Sequence, residues 1–236
     1  MTIEEFSDQY DVLLSSYLRF KKFDPQAILD SIEINEYEKS VYLTKAQNEI
    51  VTELYTGKSI FQEGYEQTEQ LRRYLADLNT SEVISTFTPS TTGIAIGSKT
   101  CKIEGDLLYI THEACKVELS NSLCDGQEVI MACTPISRDE YNTTKDNPFK
   151  NNKVWRVDQD YNTVELISKH DIKEYRVSYL RTPSPIILED IHPYTINGES
   201  DESDSGLHPI LHEHILERAV QNTLRDIIKT QPQETN

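Results

Sequence analysis

Between Asn35 and Tyr55 the chain carries apolar residues on two opposed sides of what its spacing predicts to be one helix. Placed at 100° per residue, Ile34, Tyr37, Val41 and Tyr55 fall on one side and Leu43, Ala46, Ile50 and Leu54 on the other. An ordinary surface helix buries one stripe. A helix with two needs two neighbours: one face can pack on the preceding helix, and the other either meets a second element of its own domain or contacts another subunit. Gly57 stands where a left-handed residue would end this helix.

The flanking segments extend the helical pattern. Thr2-x-x-Glu5 has the form of a capping box, and Phe6, Tyr10, Leu13, Leu14, Tyr17 and Leu18 follow at helical spacing. Asp24-Pro25 suits the cap and first turn of a short helix through about Ile32. A charged helix is expected from about Gly64 to Leu78, with Leu71, Leu75 and Leu78 as its stripe.

From about Val83 the period changes from helix to strand. Ile94 to Ile96 between two glycines, Leu107 to Leu119 as a bent or bulged strand, Val154 to Asp158, Thr163 to Ile167 and Glu174 to Leu180 all read as extended. Val129 to Cys133 is continuously apolar, which predicts cover on both sides. The connections are mostly too short for crossover helices, so antiparallel pairing is expected. The polar stretch Asn197 to Gly206 carries four acids and no base, the pattern of a mobile, exposed loop. Pro209 then opens a last helix with Leu216, Val220, Leu224 and Ile227 as its stripe.

The expectation is therefore an α+β fold with an N-terminal helical bundle, a central mostly antiparallel β-sheet and a C-terminal helix. Its divisions are residues 1–80 as the helical region, 81–190 as the β-rich region, 191–206 as the acidic loop, and 207–236 as the C-terminal helix with a disordered tail.

Charge narrows the function. Forty acidic against 23 basic residues give a net charge of −17. Tight phosphate binding needs clustered Lys and Arg, and the only adjacent basic pairs are Lys21-Lys22 and Arg72-Arg73. An acidic surface instead lets duplex DNA slide past without adhering. The four cysteines lack any C-x-x-C spacing and read as reduced thiols of a protein made in a cytoplasm. No apolar run reaches membrane-span length, and no secretory signal opens the chain.

Three motifs hint at chemistry, and each falls short. Thr56-Gly57-Lys58-Ser59 resembles the end of a phosphate loop, but Thr52 stands where that motif needs glycine and a helix precedes it. His208, His212 and His214 suggest a metal-dependent hydrolase, yet Leu216 occupies the second histidine position of H-E-x-x-H. Asp201-Glu202-Ser203-Asp204 lacks the register of a calcium loop. No catalytic residue, metal ligand or cofactor is assigned from these motifs.

Thirteen tyrosines against six phenylalanines suit half-wet contact surfaces. Phe149 sits on a polar loop after Pro148, placed either to plug a partner's pocket or to make a satellite contact within the chain. Tyr37, Val41, Tyr55, Phe149, Trp155, Tyr175 and Tyr179 are the interface candidates.

Five ordered blocks carry a resemblance. EYEKSVYLTKAQNEIVTELY from Glu36, PISRDEYN from Pro135, NPFKNNKVWRVD from Asn147, YRVSYLRTPSPIIL from Tyr175 and LHEHILERAVQ from Leu211 are similar to the ring proteins of the neck of crAss-like bacteriophages. The resemblance spans about Asn35 to Gln221 and implies a virion structural protein with no catalytic residues. It implies further that copies form a closed, portal-matched dodecameric ring below the portal, stack with other ring and tail proteins, and leave a passage through which genome DNA moves without tight binding. Segment 81–105 lies outside it. Two other readings stay open: a cytoplasmic phage hydrolase built on His208, His212 and His214, and a non-virion adaptor that binds host proteins.

Overall fold

The computed structural model describes residues 1–20, 34–58, 65, 68–120, 126–147 and 153–230. The expected helix at Asp24-Pro25, Phe149 and the final tail lie outside them. The described residues form two compact units. One draws on residues 1–78 and 183 onward, and the other is Asn79–Thr182.

In the helical unit, α1 (Ile3–Phe20) opens with the expected capping box. The Glu5 amide donates to Thr2 Oγ1 at 3.3 Å, and the Thr2 amide donates to the Glu5 carboxylate at 2.9 Å. Helix α2 (Glu36–Thr56) is capped likewise by Asn35 and Glu38, and ends at Gly57 in the left-handed conformation, φ 76°. The glycine of the apparent phosphate motif is thus a helix stop. Leu43, Ala46, Ile50 and Leu54 are buried as the spacing predicts. Helix α2 as a whole lies mainly against the C-terminal helix, with less contact to α1.

The charged helix is shorter than its periodicity suggests: α3 is Glu69–Tyr74, followed by a 3-10 turn at Ala76–Leu78. Leu71, Leu75 and Leu78 are nonetheless buried. A second 3-10 turn, Pro209–Leu211, capped by His208, leads into α5 (His212–Thr230), which follows α4 (Arg138–Thr144) of the β-unit in the chain. On α5, Leu216, Val220, Leu224 and Ile227 are all buried. Polar links reinforce the packing: Tyr10 on α1 bonds Thr223 on α5, and buried Lys39 on α2 reaches Asp11 on α1 at 2.8 Å.

The segment expected to be a mobile acidic loop is instead tied down. Ile196 and Glu199 exchange backbone hydrogen bonds of 2.8 and 3.0 Å around Asn197 (φ 53°) and Gly198 (φ 89°), a two-residue hairpin turn that Asn-Gly favours. Ile187 and Ser203 exchange a further pair, and Ser205 is buried. The acids point outward while the serines between them anchor the backbone.

The β-unit is one curled eight-stranded sheet of order β1-β8-β4-β5-β6-β7-β3-β2. Its strands are β1 (Asn79–Ile84), β2 (Thr88–Pro89), β3 (Lys99–Lys102), β4 (Leu107–Glu118), β5 (Glu128–Pro135), β6 (Val154–Asp158), β7 (Thr163–Ile167) and β8 (Asp171–Arg181). All neighbours are antiparallel except β5 and β6. That parallel pair needs a crossover, and α4 (Arg138–Thr144) lies in the connection. Strand β4 shifts register against β8 at three places, as the bent pattern predicts. One side of the sheet buries a cluster from β3 to β8, among them Ile103, Cys115, Val154, Leu166 and Val177.

Two strand expectations change. The apolar run in β5 is covered on one side only: Cys133 is buried, while Ile130 is 62% exposed on the other face. Residues 94–96 form a turn, because Gly93 (φ 71°) and Gly97 (φ 78°) are left-handed and break any ladder. Ile94 and Ala95 pack on Ile136, Tyr141, Trp155, Val157 and Ile167, leaving Ile96 fully exposed.

Candidate interface surfaces

Helix α2 sorts its residues into three roles. Its apolar face faces α5. A second face, Ser40, Thr44 and Gln47 at i, i+4 and i+7, is polar yet buried. There the returning chain lies extended: the Leu188 amide donates to Ser40 Oγ at 3.0 Å, the Ile186 amide to Thr44 Oγ1 at 3.0 Å, and Gln47 Nε2 donates to the Ser184 carbonyl at 2.7 Å. Helix side chains thus satisfy backbone groups that a sheet would otherwise pair. Sequence reasoning missed this stripe, since polar residues at helical spacing also describe a solvated face.

The interface candidates lie on and beside the edge of that polar face. Val41 is 38% exposed. Tyr37 is half-buried and its ring lies 5.3 Å from that of Tyr194, itself exposed, while Tyr55 lies 5.8 Å from Tyr65. Tyr37 also packs against the buried Ile187, Ile191 and Ile196, so Val41 is the candidate on α2 whose side chain is open to solvent.

The β-unit candidates stand differently. Tyr175 and Tyr179 are fully buried within the chain, and Trp155 is buried apart from an edge that lines a surface groove. The alternation of β8 marks its inward face. Tyr175 donates to Glu113 at 2.9 Å, and Glu113 pairs with the buried Arg156 at 3.3 Å. Burial pushes the Tyr175 hydroxyl far above its ordinary range. Tyr179 donates to Glu82, and burial with that bond raises its hydroxyl to about 12. A Cβ at Gly105 would meet the Tyr179 hydroxyl at 2.0 Å, so only glycine fits there.

Glu165 is a buried carboxylate that the sequence reading did not single out. It accepts from Ser98 Oγ at 2.5 Å, Thr92 Oγ1 at 2.7 Å and Gln159 Nε2 at 3.0 Å. Burial alone would raise its pKa, but these donors outweigh it and hold the carboxyl below the usual range. The charge anchors the turn that lifts Ile96 into solvent.

The histidines do not converge on a metal site. Nε2 of His212 meets the Leu207 carbonyl at 2.9 Å and Nδ1 meets the Met1 amine at 2.8 Å, which occupies both ring nitrogens. His208 instead caps the 3-10 turn before α5, its Nδ1 accepting from the Ile210 amide. Among the described residues no group of three His, Cys, Asp or Glu could hold a metal ion. Cys101, Cys115 and Cys133 are buried free thiols, and burial raises Cys101 to about 12. Among the described residues no helix is long and apolar enough to cross a membrane.

An acidic α+β chain with apolar surface left open on both units is of the class of bacteriophage structural ring proteins, as comparison with known proteins shows. Residues 1–235 match the phage tail ring protein 3/4 family, and the chain belongs to it. Ring protein 3 of Bacteroides phage crAss001 is 38% identical over 237 residues, covering 98% of this chain and 97% of that protein. Ring protein 4/5 of the same phage is 31% identical over 242 residues, covering 94% and 91%.

Proposed function

We propose that this protein is a non-enzymatic ring subunit of the neck, between capsid and tail, which stacks below the portal and encloses part of the DNA passage. The supporting observation is similarity that runs the length of the chain to two ring proteins of one phage, so that the whole chain corresponds to the ring-forming unit. Copies of the chain close the ring, and the portal and other ring or tail proteins are its axial neighbours. Twelvefold symmetry matches a portal. The protein is made in the host cytoplasm and resides in the virion.

The physical chemistry is consistent with this role. A closed ring needs two different surfaces per subunit. Exposed Val41 on α2, flanked by half-buried Tyr37 and Tyr55, offers one on the helical unit, and the 94–96 turn offers another on the β-unit. Phe149 joins the contact candidates by its place in the sequence. A net charge of −17 gives a passing duplex little to adhere to.

Mass spectrometry and cryo-electron microscopy of purified virions test the proposal. Density for a ring of this fold beneath the portal is the expected result. Absence of its peptides from the particle rules the role out.

A further inference from the structure

A groove of about 800 Å³ opens on the β-unit between the 93–97 turn, the end of α4 and the β7–β8 turn. Its setting is unusual for a chain of charge −17, because four lysines face two aspartates there. Lys99 is paired with Asp171 at 2.6 Å. Lys145, Lys153 and Lys169 are exposed and make no ion pair among the described residues; Lys153 instead lies 5.8 Å from the centre of the Trp155 ring. Ile94 lines the wall and Ile96 stands at the lip. A site with an apolar wall and a rim of unneutralised ammonium groups fits an acidic segment that also carries apolar or aromatic side chains.

The same chain presents such a segment on its other unit. From Thr182 to Glu217 there is no Lys or Arg. Within that stretch Glu199, Asp201, Glu202 and Asp204 are exposed on a backbone pinned by the Ile196–Glu199 hairpin and the buried Ser205, with exposed Tyr194 beside them in sequence. The segment is held in shape, so binding costs it little ordering entropy.

We infer that the lysine-rimmed groove of one copy receives the acidic 194–204 segment of the next copy. This rests on the ring-subunit reading and gives it a mechanism. The contact is heterologous, joining different surfaces on each copy, and that is the type of contact that closes into rings.

Charge reversal in the full-length protein tests the pairing, with self-association read by sedimentation velocity and native mass spectrometry. One variant carries Lys145→Glu, Lys153→Glu and Lys169→Glu; the other carries Asp201→Lys, Glu202→Lys and Asp204→Lys. Each alone is expected to weaken self-association about 100-fold, with melting temperature unchanged because every altered side chain is exposed. An equimolar mixture, and a single chain carrying both reversals, should return to the wild-type level, since every groove again meets a segment of opposite charge. Should either triple unfold, the corresponding Gln and Asn substitutions test the loss of association alone, and a chain carrying both neutral sets should stay weakened.

Three results overturn the inference: a wild-type chain that stays monomeric up to about 1 mM, association that neither reversal changes, or loss with the groove variant alone. The last would assign the groove to a different acidic partner. If mass spectrometry finds the protein in virions while the reversals have no effect, only this contact fails. Absence from virions removes the ring reading itself.

Discussion

Gln47 on α2 accepts a hydrogen bond from the Ser205 hydroxyl through Oε1 at 2.7 Å while its Nε2 donates to the Ser184 carbonyl at 2.7 Å, so one buried amide clamps both ends of the returning chain. Replacing it by leucine would strand a carbonyl and a hydroxyl in the interior. Gln47→Leu is expected to lower the stability of the helical unit by about 2–3 kcal/mol, read by urea denaturation. Ser205→Ala should cost only about 1 kcal/mol, yet raise amide exchange across residues 199–206.

That clamp also marks where the sequence stops being readable. The single apolar stripes of α1 and α5 were legible because helical spacing and burial coincide there, as Phe6, Tyr10, Leu216 and Val220 illustrate. Ser40, Thr44 and Gln47 share that spacing, but pattern alone does not reveal that a polar face will be covered by a chain segment 140 or so residues away whose own backbone needs partners. Asn197 to Gly206 advertises its acids and conceals the anchoring role of its serines. In β8 the alternation identifies an apolar face and makes Tyr175 and Tyr179 interface candidates, but spacing does not say whether such a face packs inside the chain. The tyrosines there fill the chain's own core, while Ile96, which spacing read as part of a strand, is exposed because the two glycines around it have positive φ and make a turn.

Glu165 should be the electrostatic keystone of the 90–98 turn. Glu165→Gln puts an amide NH2 where Ser98, Thr92 and Gln159 all donate, and is expected to cost about 2–4 kcal/mol. Thermal melting and amide exchange across residues 90–98 check this. Because the folded carboxyl titrates below its unfolded value, its contribution is complete above the ordinary carboxylate pKa of about 4.3. Acid removes it only as the pH falls through the lower folded value. The turn should therefore stay protected at pH 5 in the wild type.

His212 imposes a pH dependence nearer neutrality. Burial depresses its pKa, and the neighbouring Met1 amine adds to the effect, whereas the Leu207 carbonyl opposes it. The folded state thus binds its proton less readily than the unfolded state, whose histidine titrates near 6.5. Stability from this group is full above about pH 6.5 and declines below it, at up to ~1.4 kcal/mol per pH unit. Melting temperatures at pH 7.5 and 5.5 should differ more for the wild type than for His212→Gln. Equal differences would show that the ring is not the titrating element.

Charge balance sets an expectation for nucleic acid. At physiological salt the isolated protein should bind duplex DNA negligibly, because a chain of net charge −17 offers few phosphate contacts and repels the rest. A mobility-shift assay that found submicromolar affinity would contradict this, and would turn attention to the lysine groove as a phosphate site.

Two neighbouring positions on α2 separate folding from assembly. Leu43 is fully buried against the helical core, so Leu43→Ala should cost about 2–5 kcal/mol by deleting packed methyl groups and leaving a cavity. Val41 lies two residues away on the open side, 38% exposed, and Val41→Glu should change monomer stability by no more than about 0.5 kcal/mol. If this side meets a neighbouring subunit, the new carboxylate becomes a desolvated charge at the contact and the variant should fail to incorporate into virions despite an unchanged melting curve. Incorporation of the Val41→Glu protein at the wild-type level would place the contact elsewhere and leave Val41 an ordinary exposed side chain.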